Sequence, residues 1–179
     1  MEKATLANGC FWCTEAVFKR VKGVQSVISG YAGGEAENPN YYQLHSGETG
    51  HAEALQIEFN PKVVSFDQLL DVFFATHDPT TLNRQGNDIG PQYRSAIFYH
   101  SPEQKNIAEN KIKQITDEEK YDDPIVTAIE PFTKFYPAEE YHQNFYESGN
   151  RPDYCRYIID PKIQKLLTQF NDKVKEEYK

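Results

Sequence analysis

The sequence GCFWCTE, residues 9–15, follows a strand-like segment at residues 4–7 and opens a helical pattern. Asn8 and Gly9 predict the turn between strand and helix. The first N–H groups of a helix are unpaired and favour an anion. A thiol placed there is expected to have a lowered pKa, and the thiolate is the reactive form of cysteine. Cys10 is therefore the candidate nucleophile, although a cysteine can equally be a small buried apolar residue.

Outward from this segment, hydrophobic periodicity predicts alternating strands and helices. Strands are expected at residues 24–31, 51–59, 93–99 and 125–129, and helices at residues 65–77, 101–116, 137–146 and from 160 onward. Polar loops are expected at residues 33–50, 78–92 and 147–154. Neighbouring strands mixed with separate helices favour an α+β fold. We predict a single domain over residues 1–179, a mixed β-sheet with helices packed on its faces around a ferredoxin-like core.

Composition restricts the class of protein. The 27 acidic and 19 basic residues give a net charge of −8, which argues against a nucleic-acid surface. Apolar runs are far shorter than the ~20 residues of a membrane helix, and the first residues lack the apolar region of a signal peptide. We expect a protein of the cytoplasm, without membrane or nucleic-acid partners.

Three cysteines cannot all pair within one chain, so reactive thiols are more plausible than a disulfide framework. Cys10 and Cys13 form a C-x-x-C pair, which leaves three types of site open. One is a zinc site, another is a thioredoxin-like dithiol, and the third is a cysteine hydrolase oriented by His51, His77 or His142.

Two further features have both a structural and a chemical interpretation. Phe11 and Trp12 beside the thiol could belong to the core, or they could form an aromatic cradle for a small apolar group. Glu53 falls on the apolar face of the predicted strand at residues 51–59. Burial there would either raise its pKa or make it a hydrogen-bonded core carboxylate.

Six segments, in this order and spacing, resemble those of the peptide methionine sulfoxide reductase A family. They are GCFW (9–12), SGYAGG (29–34), NPNY (38–41), GHAEAL (50–55), HDPTTLNRQGND (77–88) and QYRSAIF (92–98). The resemblance runs from about residue 4 to residue 145. It implies a thiol enzyme that reduces the S epimer of methionine sulfoxide, free or in protein, without a metal or other cofactor.

The resemblance also implies roles for individual residues. Cys10 would attack the sulfoxide sulfur, and Phe11 and Trp12 would hold the methyl group. Glu53, Tyr41 and Tyr93 would bind and protonate the oxygen, with Asp88 as a further polar residue of the pocket. Expelling that oxygen requires a proton donor, and a carboxylic acid serves near neutral pH only if its pKa is raised.

Attack would leave Cys10 as a sulfenic acid, which a second thiol converts to a disulfide. Cys155, in a segment resembling the family's C-terminal recycling cysteine, is favoured for this step, and Cys13 is the alternative. Many relatives carry that cysteine on a flexible Gly-rich tail, whereas residues 156–160 here suggest an ordered lead into a helix.

Thioredoxin is the expected reductant. The expected substrates are oxidised proteins and free methionine sulfoxide, and the protein is expected to be a monomer. A C-x-x-C disulfide oxidoreductase is the alternative function.

Overall fold

The computed structural model covers Met1–Lys179 and contains one six-stranded sheet and one two-stranded hairpin. The strands are β1 (Glu2–Asn8), β2 (Val24–Ala32), β3 (Ala52–Phe59), β4 (Arg84–Gln85), β5 (Asp88–Ile89), β6 (Ser95–Tyr99), β7 (Ala128–Pro131) and β8 (Phe135–Pro137). The order in the large sheet is β7-β6-β1-β3-β2-β8, and β4 pairs with β5. Only β6 and β7 are parallel, so the sheet is mixed, as predicted.

The helices are α1 (Phe11–Phe18), α2 (Tyr41–His45), α3 (Phe66–Ala75), α4 (Pro102–Asp117), α5 (Phe145–Ser148), α6 (Pro152–Tyr154) and α7 (Asp160–Gln169). The chain passes through β1, α1, β2, β3, α3 and β6, and the central strand order is β6-β1-β3-β2. This is the split βαβ arrangement of a ferredoxin-like core. The predicted α+β fold is confirmed. No helix combines the length and the apolar character that a membrane crossing would need.

The main core lies between one face of the sheet and the helices. Strand β3 contributes Leu55 and Ile57 to this core, while its alternate residues face the other side of the sheet. Ser65 caps the N-terminus of helix α3. Its side chain accepts a hydrogen bond from the Gln68 N–H, and the Gln68 side chain accepts one from the Ser65 N–H. This reciprocal cap satisfies two backbone donors that the helix leaves open, which fixes where α3 starts.

Three expectations for the connections are wrong or incomplete. The loop predicted at residues 33–50 contains α2, capped by Asn40, and the loop predicted at residues 78–92 contains the β4–β5 hairpin. The helix predicted at residues 137–146 is wrong, because Pro137 ends the edge strand β8. Asn144 then adopts a left-handed φ of 54°, so a helix starts only at Phe145.

The C-terminal part is more helical than predicted. The loop expected at residues 147–154 includes α6, and a π-helical turn, Cys155–Ile159, joins α6 to α7. The ordered lead into the last helix, expected at residues 156–160, is confirmed. Cys155 is therefore held on a helical segment and is buried, rather than carried on an open tail.

Candidate active site

A cavity of about 580 Å³ lies where β1 ends and α1 begins. Its lining includes the two cysteines of the first helix, two tyrosines from separate loops, two acidic residues and one indole: Cys10, Cys13, Tyr41, Tyr93, Glu53, Asp88 and Trp12. A cavity of about 610 Å³ beside α7 contains no cysteine. The structure thus brings most of the predicted site residues to one place.

Cys10 caps the N-terminus of α1, and its carbonyl accepts from the backbone N–H of Cys13 and of Thr14. Burial raises the pKa of the Cys10 thiol, and its hydrogen bond to Cys13 raises it further. The same hydrogen bond lowers the pKa of Cys13 to about 7. The expectation of a lowered pKa at Cys10 is therefore wrong for the resting protein. The first-turn N–H of Phe11 is donated to Glu53, and the Cys10 thiol itself is removed from water.

Glu53 lies near the start of β3, on the same face as Leu55, and is only 2% exposed. The Phe11 N–H donates to its Oε1 at 3.1 Å. Desolvation outweighs this hydrogen bond and raises the pKa of Glu53 to about 8. At neutral pH the side chain is a carboxylic acid that faces the cavity, so it can donate a proton there.

The remaining polar groups of the cavity come from the two long connections. Tyr41 is the first residue of α2, Tyr93 ends the 3₁₀ turn Pro91–Tyr93, and Asp88 lies on β5. Burial is the largest cause of a raised pKa at both phenols, and the negative charge of the nearby Glu53 is the second. Both phenols therefore keep their protons and remain hydrogen-bond donors. Burial also raises the pKa of Asp88.

Trp12 provides the apolar wall. Its ring stacks on Phe145 at 3.7 Å between centroids, and its Nε1 donates to Nδ1 of His142 at 3.1 Å. Phe11 is 1% exposed and does not line the cavity. It packs behind Trp12 against Tyr31. The structure therefore places Trp12 at the cavity and Phe11 in the layer that supports it.

Cys155 also does not line the cavity, although it packs in the same apolar cluster as Cys10 and Cys13. The residue before it, Tyr154, does line the cavity and lies 3.6 Å from Cys13 through its hydroxyl oxygen. Sequence reasoning did not single out Tyr154, nor Arg151 and Lys162 on the same wall. The position of Tyr154 next to a candidate resolving cysteine was the available signal.

The histidines considered as bases for a hydrolase lie elsewhere. His51 bonds the backbone of Gly34 and Ala36, and His77 is held between the Phe73 carbonyl and a serine hydroxyl. His142 accepts from Trp12, and none of the three is hydrogen-bonded to Cys10. No three His, Cys, Asp or Glu side chains are grouped so as to hold a metal ion.

Comparison with known proteins identifies the family of this chain. The family model for peptide methionine sulfoxide reductase matches residues 2–175. Peptide methionine sulfoxide reductase MsrA of Leptospira borgpetersenii is 56% identical over 178 residues, 99% of both chains. Mxr1 from Saccharomyces cerevisiae in reduced form is similar with a TM-score of 0.76 and 38% identity, over 84% of this chain and 86% of that one. Mxr1 in complex with Trx2 is similar with a TM-score of 0.56 and 32% identity, over 80% and 84%. The chain belongs to the peptide methionine sulfoxide reductase family of enzymes, in its MsrA branch.

Proposed function

We propose that this chain, acting as a monomer, reduces the S epimer of methionine sulfoxide, free and in proteins, with Cys10 as the nucleophile. The observation that carries the proposal is a protonated carboxylic acid, Glu53, in the same cavity as the Cys10 and Cys13 thiols. Trp12 supplies an apolar wall for the methyl group, and Phe11 supports that wall from behind. Tyr41 and Tyr93 supply neutral donors for the oxygen, and Asp88 is a further polar contact.

In the first step the proton of the Cys10 thiol passes to the thiolate of Cys13, whose pKa is lowered to about 7. The Cys10 sulfur bonds to the sulfoxide sulfur while Glu53 gives its proton to the oxygen. The oxygen then passes to Cys10 as the substrate S–O bond and the new bond between the two sulfur atoms both break. The substrate sulfur gains two electrons and leaves as methionine, and Cys10 loses two electrons and becomes a sulfenic acid. Glu53 is left as a carboxylate and is reprotonated from solvent.

In the second step a disulfide replaces the sulfenic acid. We propose that Cys13 forms it with Cys10, and that the Cys13 proton leaves with the sulfenic hydroxyl group as water. The support is their position one helical turn apart, with the Cys13 N–H donating to the Cys10 carbonyl at 3.1 Å and both residues lining the cavity. A disulfide needs Cα atoms about 4.4–6.8 Å apart, which this spacing can nearly meet. Cys155, favoured on the sequence, packs in the same cluster and is proposed to receive the disulfide from Cys13 by thiol exchange.

An external dithiol must finally reduce the enzyme. The relative Mxr1 has been solved in complex with Trx2, which supports thioredoxin as the reductant of this chain. A thioredoxin-dependent cycle requires a compartment that keeps thiols reduced, so we propose the cytoplasm as its location.

The decisive test is an assay of the pure S and R sulfoxides with dithiothreitol, followed by mass mapping of disulfides after one turnover without reductant. Wild-type protein should consume the S epimer, and the oxidised product should contain Cys10–Cys13 before any disulfide to Cys155. Cys10→Ser should abolish methionine formation, whereas Cys13→Ser should retain one stoichiometric turnover. Full activity in Cys10→Ser, or no consumption of the S epimer by folded protein, would refute the proposal.

The C-x-x-C disulfide oxidoreductase remains the second candidate, because Cys10 and Cys13 share the cavity and the pKa of Cys13 is lowered. The two functions are separated by measuring insulin disulfide reduction and sulfoxide reduction with one preparation. We expect sulfoxide reduction to dominate, since Glu53, Tyr41 and Tyr93 surround the cavity with proton and hydrogen-bond donors, which the departure of a sulfoxide oxygen requires.

A further inference from the structure

The proposed cycle leaves Tyr154 without a role, although its hydroxyl reaches the thiol pair. The Tyr154 oxygen lies 3.6 Å from the Cys13 sulfur and makes no hydrogen bond to any protein nitrogen or oxygen. The ring is fixed on two sides. It stands edge-on to Trp12 with centroids 5.7 Å apart, and the Arg151 guanidinium lies 5.5 Å from its centroid. The contact with sulfur is thus made by a phenol whose ring lies between Trp12 and Arg151.

The direction of this hydrogen bond follows from the chemistry of the two groups. Burial raises the pKa of Tyr154, so the phenol keeps its proton. The pKa of Cys13 is lowered, and hydrogen bonding by Cys10 is the largest cause. The positive charge of Lys162 and, to a smaller extent, the hydrogen bond from Tyr154 also lower it, whereas burial and Asp88 act in the opposite direction. A thiolate has no proton to donate, so Tyr154 must be the donor whenever Cys13 is ionised.

Chain connectivity gives this contact a second consequence. Tyr154 and Cys155 are adjacent, at the junction of α6 and the π-helical turn Cys155–Ile159. Successive helical residues point about 100° apart, so the two side chains need not both face the cavity. Tyr154 lines it and Cys155 does not. Cys155 instead packs in the apolar cluster that also contains Cys10 and Cys13, so Tyr154 is the residue of this pair whose polar group contacts the Cys13 sulfur.

We propose that Tyr154 is a positioning residue for resolution, whose hydroxyl donates to the Cys13 sulfur and presents Cys13, ahead of Cys155, to the Cys10 sulfenic acid. The proposal rests on the proposed function for the sulfenic acid itself. The bond that forms is Cys10–Cys13, and the sulfenic hydroxyl leaves as water with the Cys13 proton. Loss of the Tyr154 hydroxyl should therefore slow disulfide formation, which is measured as the lifetime of the sulfenic acid after methionine has left.

The first test measures the thiol and needs no substrate. In a Cys10→Ser/Cys155→Ser background, Cys13 is the single remaining thiol, and its rate of alkylation by iodoacetamide is followed from pH 5.5 to 9.5. Tyr154→Phe keeps the ring on Trp12 and removes only the hydroxyl. It should move the midpoint to higher pH and slow alkylation at pH 6.5 by about threefold to tenfold. The matched control is Tyr146→Phe, which removes a phenol hydroxyl bonded to Asp160 in the same cluster.

The second test follows resolution in the protein with all three cysteines. After one turnover of S-sulfoxide without reductant, Tyr154→Phe should still release one equivalent of methionine per protein. Its Cys10 sulfenic acid should be trapped by dimedone for several times longer than in wild type. In a Cys13→Ser background, Tyr154→Phe should not prolong this lifetime further.

Coincident alkylation profiles for Tyr154→Phe and Tyr146→Phe would overturn the role of Tyr154. The role would also be overturned if Tyr154→Phe lengthened the lifetime of the sulfenic acid further in the Cys13→Ser background. Failure of the proposed function is a different result, in which wild-type protein releases no methionine while the shift in the alkylation profile is still observed.

Discussion

At the scale of single residues, the site depends on removing two acidic groups from water. Glu53 is protonated at neutral pH because the fold buries it, and its hydrogen bond from Phe11 is too weak to offset the loss of solvation. Cys10 is kept as a thiol by the same burial, and the ionised thiol of the pair is Cys13. The resting enzyme thus stores a proton on the acid that must donate one.

Replacing Glu53 by Gln tests this assignment. Wild-type methionine release in a single turnover should fall as pH rises through about 8, the pKa of Glu53, because the donor is then lost. Glu53→Gln should be slower by about 10²–10⁴-fold and should lack this decline. The measurement is the rate of methionine release from pH 6 to 9.5.

Glu58→Gln is the matched control, because Glu58 lies on the same strand but is only partly buried and faces Lys3. It should retain both the rate and the decline near pH 8. If the rate of methionine release by Glu53→Gln declined with the same midpoint pH, another group would be the acid.

At the scale of elements, the junction between β1 and α1 places the nucleophile. Gly9 has a φ of 105°, which turns the chain from the strand directly into the helix and leaves Cys10 at its N-terminus. A Cβ at Gly9 would lie 2.7 Å from Cγ of Gln85. Gln85 in turn anchors the hairpin to Asp78 through two hydrogen bonds. The junction and the hairpin that carries Asp88 are therefore packed against one another.

Gly9→Ala should consequently damage both stability and catalysis. We expect a loss of about 1–3 kcal/mol in the free energy of unfolding, from the strained φ and the displaced Gln85 side chain. The sulfoxide reductase rate should fall by about tenfold or more, because small displacements of reacting groups are costly. Urea unfolding and steady-state turnover measure the two effects.

Gly149→Ala separates the strain of a positive φ from the contact with Gln85. Gly149 also has a positive φ, 69°, but a Cβ there would meet no atom within 4 Å. This variant should lose about 1 kcal/mol of stability and keep its activity. Equal activity losses in the two variants would refute a specific role for the contact between Gly9 and Gln85.

At the scale of the whole molecule, the burial of Glu53 couples folding to pH. Its pKa is near 4.5 in the unfolded chain and about 8 in the folded protein, so the folded state binds an extra proton between these values. The stabilising contribution is fully present below pH 4.5 and is lost as pH rises through 8.

We therefore expect wild-type protein to lose stability relative to Glu53→Gln as pH rises from about 4.5 to 8. The expected slope of the difference is about 1.4 kcal/mol per pH unit, the value for one proton. Urea unfolding of reduced protein at intervals between pH 5 and 9 gives this difference. A difference that is independent of pH would mean that Glu53 is ionised in the folded protein.

The fold class could be predicted because its signals are local. Alternation in residues 51–59 places Glu53 on the buried face, and the strand, glycine and helix around Cys10 are contiguous in the chain. The main errors lie in the connections. Neither α2 nor the β4–β5 hairpin has a strong apolar period, and tertiary contacts stabilise them around the cavity.

The sequence by itself determined the α+β core, the position of Cys10 at a helix start and the position of Glu53 on the apolar face of a strand. Each of these depends on residues close together along the chain. Only the tertiary structure decided which thiol of the pair is more acidic and that Tyr154 reaches Cys13. Those properties arise from desolvation and from contacts across 141 positions of sequence, which no local pattern records.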